Sequence, residues 1–492
     1  MRFFITLIVH NYRYLQFRDK RIVIYLQFRD KRIIIYLQFR ERENCKMLKR
    51  KIYRQFCDWK QKSQGHTALM VCGARRTGKS FIVEEFAKNE YASYIIIDFG
   101  NVGQEVKDIF LQDAANLNLF FAKLSSYFRT KLLPRNTLIV FDEIQQFPPA
   151  RQMIKYLVAD GRYDYVETGS LIGLRQNTKD IIIPSEEEQI NLYPLDFEEF
   201  LWAMGDDVTA ETLWEHYENL TEFGQATHRR IMNDFRQYML VGGMPQSVNA
   251  YLKNQDFSEA DEAKKRILDL YRKDITKFAG GYEEKVMSVF DAIPGQLTRK
   301  DKKYNLADIS KRARYREYNS AFMWLKEAMI VNTCFNATDP NVGLSMSRDY
   351  TTQKCYMGDT GLLVTMTFMD EDFMDNELYR AVLFDKLNVN EGMLMENIVA
   401  QELRCHGKRL FFYSRQDSAS RKNSLEIDFL IRQGKKISPV EVKSASSSRH
   451  VSLDKLVSRF SDKLGRSYIL SPRDVFEKNE VVHLPLYMTM CL

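Results

Sequence analysis

The sequence predicts an α/β chain: a parallel sheet covered by helices on both faces, then further helices, then a second, smaller α/β domain. Three observations carry this. Short apolar runs alternate with helical patterns between residues 68 and 170, a glycine-rich octet joins the first run to a helix, and two late strands carry Asp428 and Glu441. A length of 492 residues is enough for two to four domains of usual size. With 45% apolar and 28% charged residues, the composition excludes a mostly disordered chain, a collagen and a polytopic membrane protein.

Charge is unevenly spread. Residues 1–46 hold eleven Lys or Arg against four acids, the whole formal excess of +7, so residues 47–492 balance at zero. Net charge therefore argues neither for nor against nucleic acid, and any basic groove must be local. The same segment repeats itself: YLQFRDKRIVI from Tyr14, YLQFRDKRIII from Tyr25 and YLQFRER from Tyr36, a period of eleven. Such a period can wind a right-handed helical supercoil, but β-branched and aromatic residues favour strands. Few and near-identical, the copies resemble a translated tandem DNA repeat, with native translation expected to start at Met47, which opens the amphipathic helix MLKRKIYRQFCDWK. A membrane-surface or nucleic-acid-binding arm is the alternative.

The seven cysteines are scattered and include no C-x-x-C pair, so neither a disulfide framework nor a zinc site is expected. No apolar run approaches the ~20 residues of a spanning helix. A cytoplasmic protein without membrane contact is the expectation.

Ala68 to Cys72 (ALMVC) reads as a buried parallel strand. Gly73, Ala74, Arg75, Arg76, Thr77, Gly78, Lys79 and Ser80 then match G-x-x-x-x-G-K-[ST], and FIVEEFAKN continues as a helix. Glycines let the backbone turn its N–H groups toward phosphate oxygens, and the helix adds its positive end. Lys79 would reach the β- and γ-phosphates and Ser80 would ligate Mg²⁺. A second apolar strand, Thr137 to Phe141, ends in Asp142 and Glu143. The aspartate is expected to hold Mg²⁺ through water and the glutamate to orient the attacking water, which makes ATP and Mg²⁺ the expected cofactors. Tyr94 to Phe99 and Tyr165 to Ser170 read as further core strands, with Thr168 or Ser170 able to sense the γ-phosphate.

GARRTGKS, LIVFDEIQ, VETGS, YPLDFEEFL (Tyr193 to Leu201) and VGGMPQSV (Val241 to Val248) resemble the prokaryotic AAA-type ATPases with a DUF4143 C-terminal region, from about Met47 to the end of the chain. Residues 1–46 stand apart as a repeat-containing extension, expected not to be native; the resemblance implies a P-loop ATPase core at 47–190, a helical lid at 191–285, a winged helix at 286–350 and a restriction-endonuclease-like domain at 351–492. It also suggests homo-oligomers. One departure stands out. Relatives often carry Gly-Arg before the tract matching YPLDFEEFL, but this chain has PSEEEQINLYP, so the arginine finger is unassigned and Arg175 is only a weak candidate.

Helical spacing runs from Leu195 to about Gly280, broken at Gly242-Gly243-Met244-Pro245. LADISKRARYREYNSAFMWLKEAMIV reads as two helices, the second around Tyr315 to Ile330. A winged helix would set that second helix in a DNA groove, with Lys311, Arg312, Arg314 and Arg316 on phosphates. Gly392 to Leu403 reads as an amphipathic helix bearing Glu396, LEIDFLI carries Asp428, and PVEVKS carries Glu441 and Lys443. This is the layout of PD-(D/E)xK nucleases. Residues two apart on a strand share a face, so Glu441 and Lys443 pair, and Glu426 shares the face of Asp428. Glu396, Asp428 and Glu441 would hold Mg²⁺ while Lys443 positions the water. The expected function is an ATP-hydrolysing protein whose cycle gates or drives this nuclease-like domain on nucleic acid, DNA before RNA. An ATP-dependent switch or scaffold, with these parts only binding DNA or a protein, is the alternative.

Overall fold

The repeats at the start of the chain form strands, the form their β-branched and aromatic residues favour. Strands β1 (Tyr14–Arg18), β2 (Arg21–Phe28) and β3 (Lys31–Gln38) make an antiparallel sheet in that order. Met1–Met47 is a compact unit by itself and Leu48–Leu492 is another. The computed structural model describes residues 14–18, 21–28, 31–38, 48–169, 185–299, 301–368, 391–415, 424–444 and 450–492.

In the second unit, β4 (Ala68–Gly73), β5 (Ser93–Asp98), β6 (Thr137–Asp142), β7 (Asp164–Gly169) and β8 (Glu187–Leu192) form a five-stranded parallel sheet in the order β5-β6-β7-β4-β8. Alternation along β4 splits its side chains between two cores. Leu69 and Val71 pack with Phe56 of α1 (Ile52–Ser63) and Phe86 of α2 (Lys79–Glu90). Met70 and Cys72 face the helices α3 (Gln104–Gln112), α4 (Leu117–Phe128) and α5 (Pro148–Asp160) on the other side. Burying one such apolar side chain contributes about 1.5–3 kcal/mol, so both helical layers hold the strand that ends in the loop. The edge strand β8 was not foreseen. EEQINL has the polar, half-exposed pattern of an edge, with no apolar run to mark it.

The helical stretch resolves into α6 (Phe197–Met204), α7 (Thr209–Asn219), α8 (Gln225–Val241), α9 (Pro245–Asn254) and α10 (Phe257–Phe278). After α11 (Glu283–Asp291) and α12 (Ile293–Leu297), only the second of the two helices expected around the basic cluster is an α-helix, α13 (Tyr315–Glu327). The first is a single 3₁₀ turn, Leu306–Asp308, so Lys311, Arg312 and Arg314 lie on the connection before α13.

The hairpin of β9 (Val331–Ala337) and β10 (Arg348–Met357) belongs to a larger sheet, so the boundary expected at 350 falls inside β10. With β11 (Phe411–Arg415), β12 (Leu425–Gln433), β13 (Lys436–Val442), β14 (Ser467–Ser471), β15 (Phe476–Lys478) and β16 (Val481–Pro485), it makes a mixed eight-stranded sheet ordered β10-β9-β11-β12-β13-β14-β16-β15. Helix α14 (Thr360–Thr367) follows β10, α15 (Glu391–Cys405) lies on one face, and α16 (Val451–Phe460) packs on the other.

The expected amphipathic helix is α15, but its residues from Met393 to Leu403 are all buried. Its polar side chains survive burial because each finds a backbone or hydroxyl partner. Asn397 Oδ1 accepts from the amide of Met357 at 2.8 Å, and Gln401 Oε1 accepts from the amide of Thr360 at 2.7 Å. The Gly358-Asp-Thr-Gly-Leu stretch thereby acquires a role. Asp359 caps α14 and accepts from the amide of Gly243 at 2.6 Å, while a Cβ at Gly361 would meet Gly242 Cα at 2.6 Å. Two motifs more than a hundred residues apart interlock there, backbone against backbone.

Candidate functional site

Gly73 is the last residue of β4, and a Cβ there would lie 2.5 Å from the carbonyl oxygen of Leu192 in β8. Gly78, at φ +90°, turns the chain into α2, whose first turn has no side-chain cap. These two glycines shape a loop that leads into the helix N-terminus, where backbone amides supply the donor set a phosphate chain requires. Within it the Thr77 hydroxyl donates to the Ala74 carbonyl at 2.8 Å. Buried Lys79 donates to the carbonyls of Gly73 and Ala74 at 3.1 and 3.0 Å. Burial pushes its pKa down, against the pull of Glu143, Cys72 and Asp142.

The loop lies against the end of β6. Ser80 Oγ donates to Asp142 Oδ1 at 2.8 Å, and the Thr168 hydroxyl, at the end of β7, donates to the same oxygen. Glu143 follows at φ +53°, with its amide 3.3 Å from the Thr168 hydroxyl and its carboxylate accepting from Gln145 Nε2. The hydroxyl–carboxylate pair is the hard oxygen set that Mg²⁺ favours, so the residues fit ATP with Mg²⁺. A cleft of about 310 Å³ adjoins Lys79 and Glu143, with Arg75, Tyr271, Lys273 and Lys277 among its lining residues. The last three belong to α10, which is thus tied to the loop: Tyr271 OH donates to the Arg75 carbonyl at 3.2 Å, and Arg75 pairs with Asp274 at 2.5 Å. Ser170 and Arg175 lie outside the described residues.

A second set of loop contacts went unread in the sequence. Arg50, just before α1, donates to the Thr77 carbonyl at 3.1 Å, to the Tyr193 carbonyl at 2.6 Å and to Glu199 at 3.0 Å. Glu199 and Asp196 form the capping box that starts α6. Lys51 pairs with Asp196 at 2.6 Å and lies 3.3 Å from His406, just past α15. Glu402, on α15, accepts from the amide of Phe197 at 3.1 Å and from Tyr238 OH at 2.8 Å. A continuous polar chain therefore joins the glycine-rich loop to the buried helix of the C-terminal region. The D-x-x-E signal of the capping box was present in LDFEEF.

The C-terminal carboxylates meet only in part as expected. Asp428 and Glu441 stand on β12 and β13, one step beyond the Phe429–Val440 pair, and Lys443 donates to Glu441 at 2.5 Å. Glu396 comes to the same region from α15, and Glu426 from β12. Between them sits Lys354 of β10, 1% exposed, with its ammonium 2.9 Å from Glu426, 3.4 Å from Asp428 and 3.7 Å from Glu396. Glu396 also accepts from Lys302 and from Tyr356 OH, and Asp428 from the amide of Val442 at 3.0 Å. Burial alone would lower the pKa of Lys354; Tyr356 and the three carboxylates hold it well above the usual range instead. Among the described residues no group of three or more His, Cys, Asp or Glu is arranged to hold a metal ion. The three carboxylates expected to hold Mg²⁺ are thus already paired: the Lys354 ammonium lies against Glu396 and Asp428, and Glu441 is turned to Lys443.

No helix among the described residues is long and apolar enough to cross a membrane. No curated protein matches the chain. Among solved structures it is similar to a Walker-type ATPase of Pyrococcus abyssi, at 15% identity over 65% of this chain and 96% of that one, with a TM-score of 0.38. It is similar also to Cdc6p from Pyrobaculum aerophilum, at 12% identity over 70% and 96%, with a TM-score of 0.25. Three family models match: an AAA domain at residues 65–201, a domain of unknown function (DUF8612) at 232–372 and another (DUF4143) at 391–487. The first covers the parallel sheet and its glycine-rich loop, the last covers α15 and most of the mixed sheet, and the chain thus carries an AAA domain and a DUF4143 C-terminal region.

Proposed function

We propose that this chain is an ATP-hydrolysing switch whose nucleotide site acts on the C-terminal region through the Arg50–Glu199–Asp196–Lys51–His406 chain. The observation that carries the reading is Ser80 Oγ at 2.8 Å from Asp142, beside the Lys79 ammonium on the loop. Mg²⁺, when bound, would neutralise phosphate charge; Ser80 and Asp142 would hold it. Lys79 would exchange its two carbonyl partners for β- and γ-phosphate oxygens, and the amides of the loop and of the first turn of α2 would bind the rest. Glu143 would orient the attacking water and take its proton as the bond from the γ-phosphorus to its bridging oxygen breaks. Thr168 holds the orientation of the Asp142 carboxylate. Any change at Thr77 reaches Arg50 directly, and from there α6 and α15. We further propose DNA or a protein as the partner of the C-terminal region, and a homo-oligomer as the assembly.

The test is steady-state ATP hydrolysis with nucleotide binding measured in parallel. Glu143→Gln is expected to keep binding and lose about 10²–10⁴-fold in turnover, whereas Lys79→Ala loses both. Unchanged turnover in both variants would sink the reading. A metal-dependent nuclease gated by ATP is the second reading, favoured by Asp428, Glu441 and Lys443 on adjacent strands. Cleavage of DNA or RNA by the parent protein in Mg²⁺ or Mn²⁺, lost in Asp428→Ala, would establish it.

A further inference from the structure

We propose that Lys354 is the resident counter-cation of the C-terminal carboxylate cluster, standing where a divalent metal would otherwise sit, so that this region folds and works without a metal. The inference is independent of the ATPase reading.

The charges balance residue by residue. Four carboxylates meet here, Glu396, Glu426, Asp428 and Glu441, and four lysines answer them. Lys354 faces the first three at 3.7, 2.9 and 3.4 Å. Lys302 bonds Glu396, Lys303 lies 3.4 Å from Glu426 and 3.4 Å from the more exposed Asp301, and Lys443 lies 2.5 Å from Glu441. Carboxylates that each already have a lysine offer little to a dication, and one entering among Glu396, Glu426 and Asp428 would meet an ammonium at contact distance.

Lys354 cannot simply swing aside. It lies in the middle of β10, paired in register with Cys334 of β9, and is 1% exposed. Its ammonium sits 5.2 Å from the centre of the Phe412 ring. Leaving would strand the buried cation and take a partner from the buried Glu396 and the half-buried Glu426 and Asp428, and breaking such a pair is costly. A surface lysine near a vacant metal site would show the opposite: high exposure and a free path to solvent. Lys443, at 27% side-chain exposure, has more of that character, and Lys354 has none.

The experiment measures Mn²⁺ binding by electron paramagnetic resonance on the full chain without nucleotide, with Asp142→Asn present throughout to silence the glycine-rich loop. The parent is expected to bind no Mn²⁺ below millimolar concentration. Lys354→Met, which keeps the chain length and removes the charge, is expected to gain one site at least tenfold tighter, and Asp428→Asn added to it should abolish that site. A parent that already binds one Mn²⁺, lost with Asp428→Asn, overturns the proposal, as does a folded Lys354→Met protein that binds none. Should Lys354→Met not fold, thermal melting of the parent decides. An unchanged Tm between EDTA and Mn²⁺ upholds the proposal, and a rise of several degrees that disappears with Asp428→Asn refutes it.

Discussion

Lys79 and Lys354 are both buried lysines near acids, yet they are held in opposite ways. Among the described residues Lys79 bonds two carbonyls of its own loop, while the carboxylate of Asp142 is bonded by Ser80 and Thr168. Lys354 is surrounded by three carboxylates. Burial prevails at the first and lowers its pKa; the acids prevail at the second and raise it. A lysine whose partners are weak neutral acceptors can exchange them for phosphate. One that neutralises three acids is committed, and the difference separates a ligand site from a structural one.

Stability measurements should expose that difference most strongly. Lys354→Ala leaves the buried Glu396 and the half-buried Glu426 and Asp428 facing one another without their shared cation and is expected to cost about 3 kcal/mol. Lys79→Ala removes a cation that pairs with no carboxylate and is expected to cost less than about 1 kcal/mol, while abolishing ATP binding. Denaturant unfolding of the two variants checks both values. Equal costs would erase the distinction between the sites.

The next effect lies between the two regions, at Glu402. Burial, reinforced by Asp196, raises its pKa from 4.5 to about 8, against Tyr238, Lys51 and the amide of Phe197. The folded state therefore holds a proton that the unfolded chain releases. Below the ordinary value both states are protonated and Glu402 is neutral to stability; as pH climbs from about 4.5 to about 8, the unfolded state gains and stability falls. Glu402→Gln keeps an oxygen for Phe197 and Tyr238 and carries no charge to bury. Melting curves between pH 5 and 8.5 should fall less steeply in the variant than in the parent. Parallel slopes would remove Glu402 as the cause.

The ATPase half was legible because its chemistry is local. The octet Gly73–Ser80 dictates its own backbone, and Asp142-Glu143 ends an apolar strand that must run beside it. The C-terminal half was legible only as spacing. Asp428, Glu441 and Lys443 lie within one hairpin, but Lys354 reaches Asp428 from 74 residues away and Lys302 reaches Glu396 from 94. A lysine inside the strand TTQKCYM was a visible oddity, and nothing local says what it faces. Helix α15 misled for a related reason. Its polar residues read as a solvent face, but they satisfy the backbone of Met357, Thr360 and Phe197.

The smallest expected effect concerns the strap from α10 to the loop. Arg75 and Asp274 pair at 2.5 Å with side-chain exposures of 49% and 18%, so water screens the pair and its worth to folding is about 0–1 kcal/mol. Arg75→Ala should leave thermal stability nearly unchanged. Because Tyr271 bonds the backbone of Arg75, and not its side chain, the loop keeps its second tie to α10. What the variant removes is the guanidinium lining the cleft beside Lys79 and Glu143. If that group meets nucleotide phosphate during the cycle, Arg75→Ala weakens ATP binding or turnover while stability holds; if its only task is to bond Asp274, both stay level. Measuring hydrolysis and melting on the same preparation separates the two roles. It also shows whether the loop side of the Lys79 and Lys354 comparison contains a second cation free to change partners.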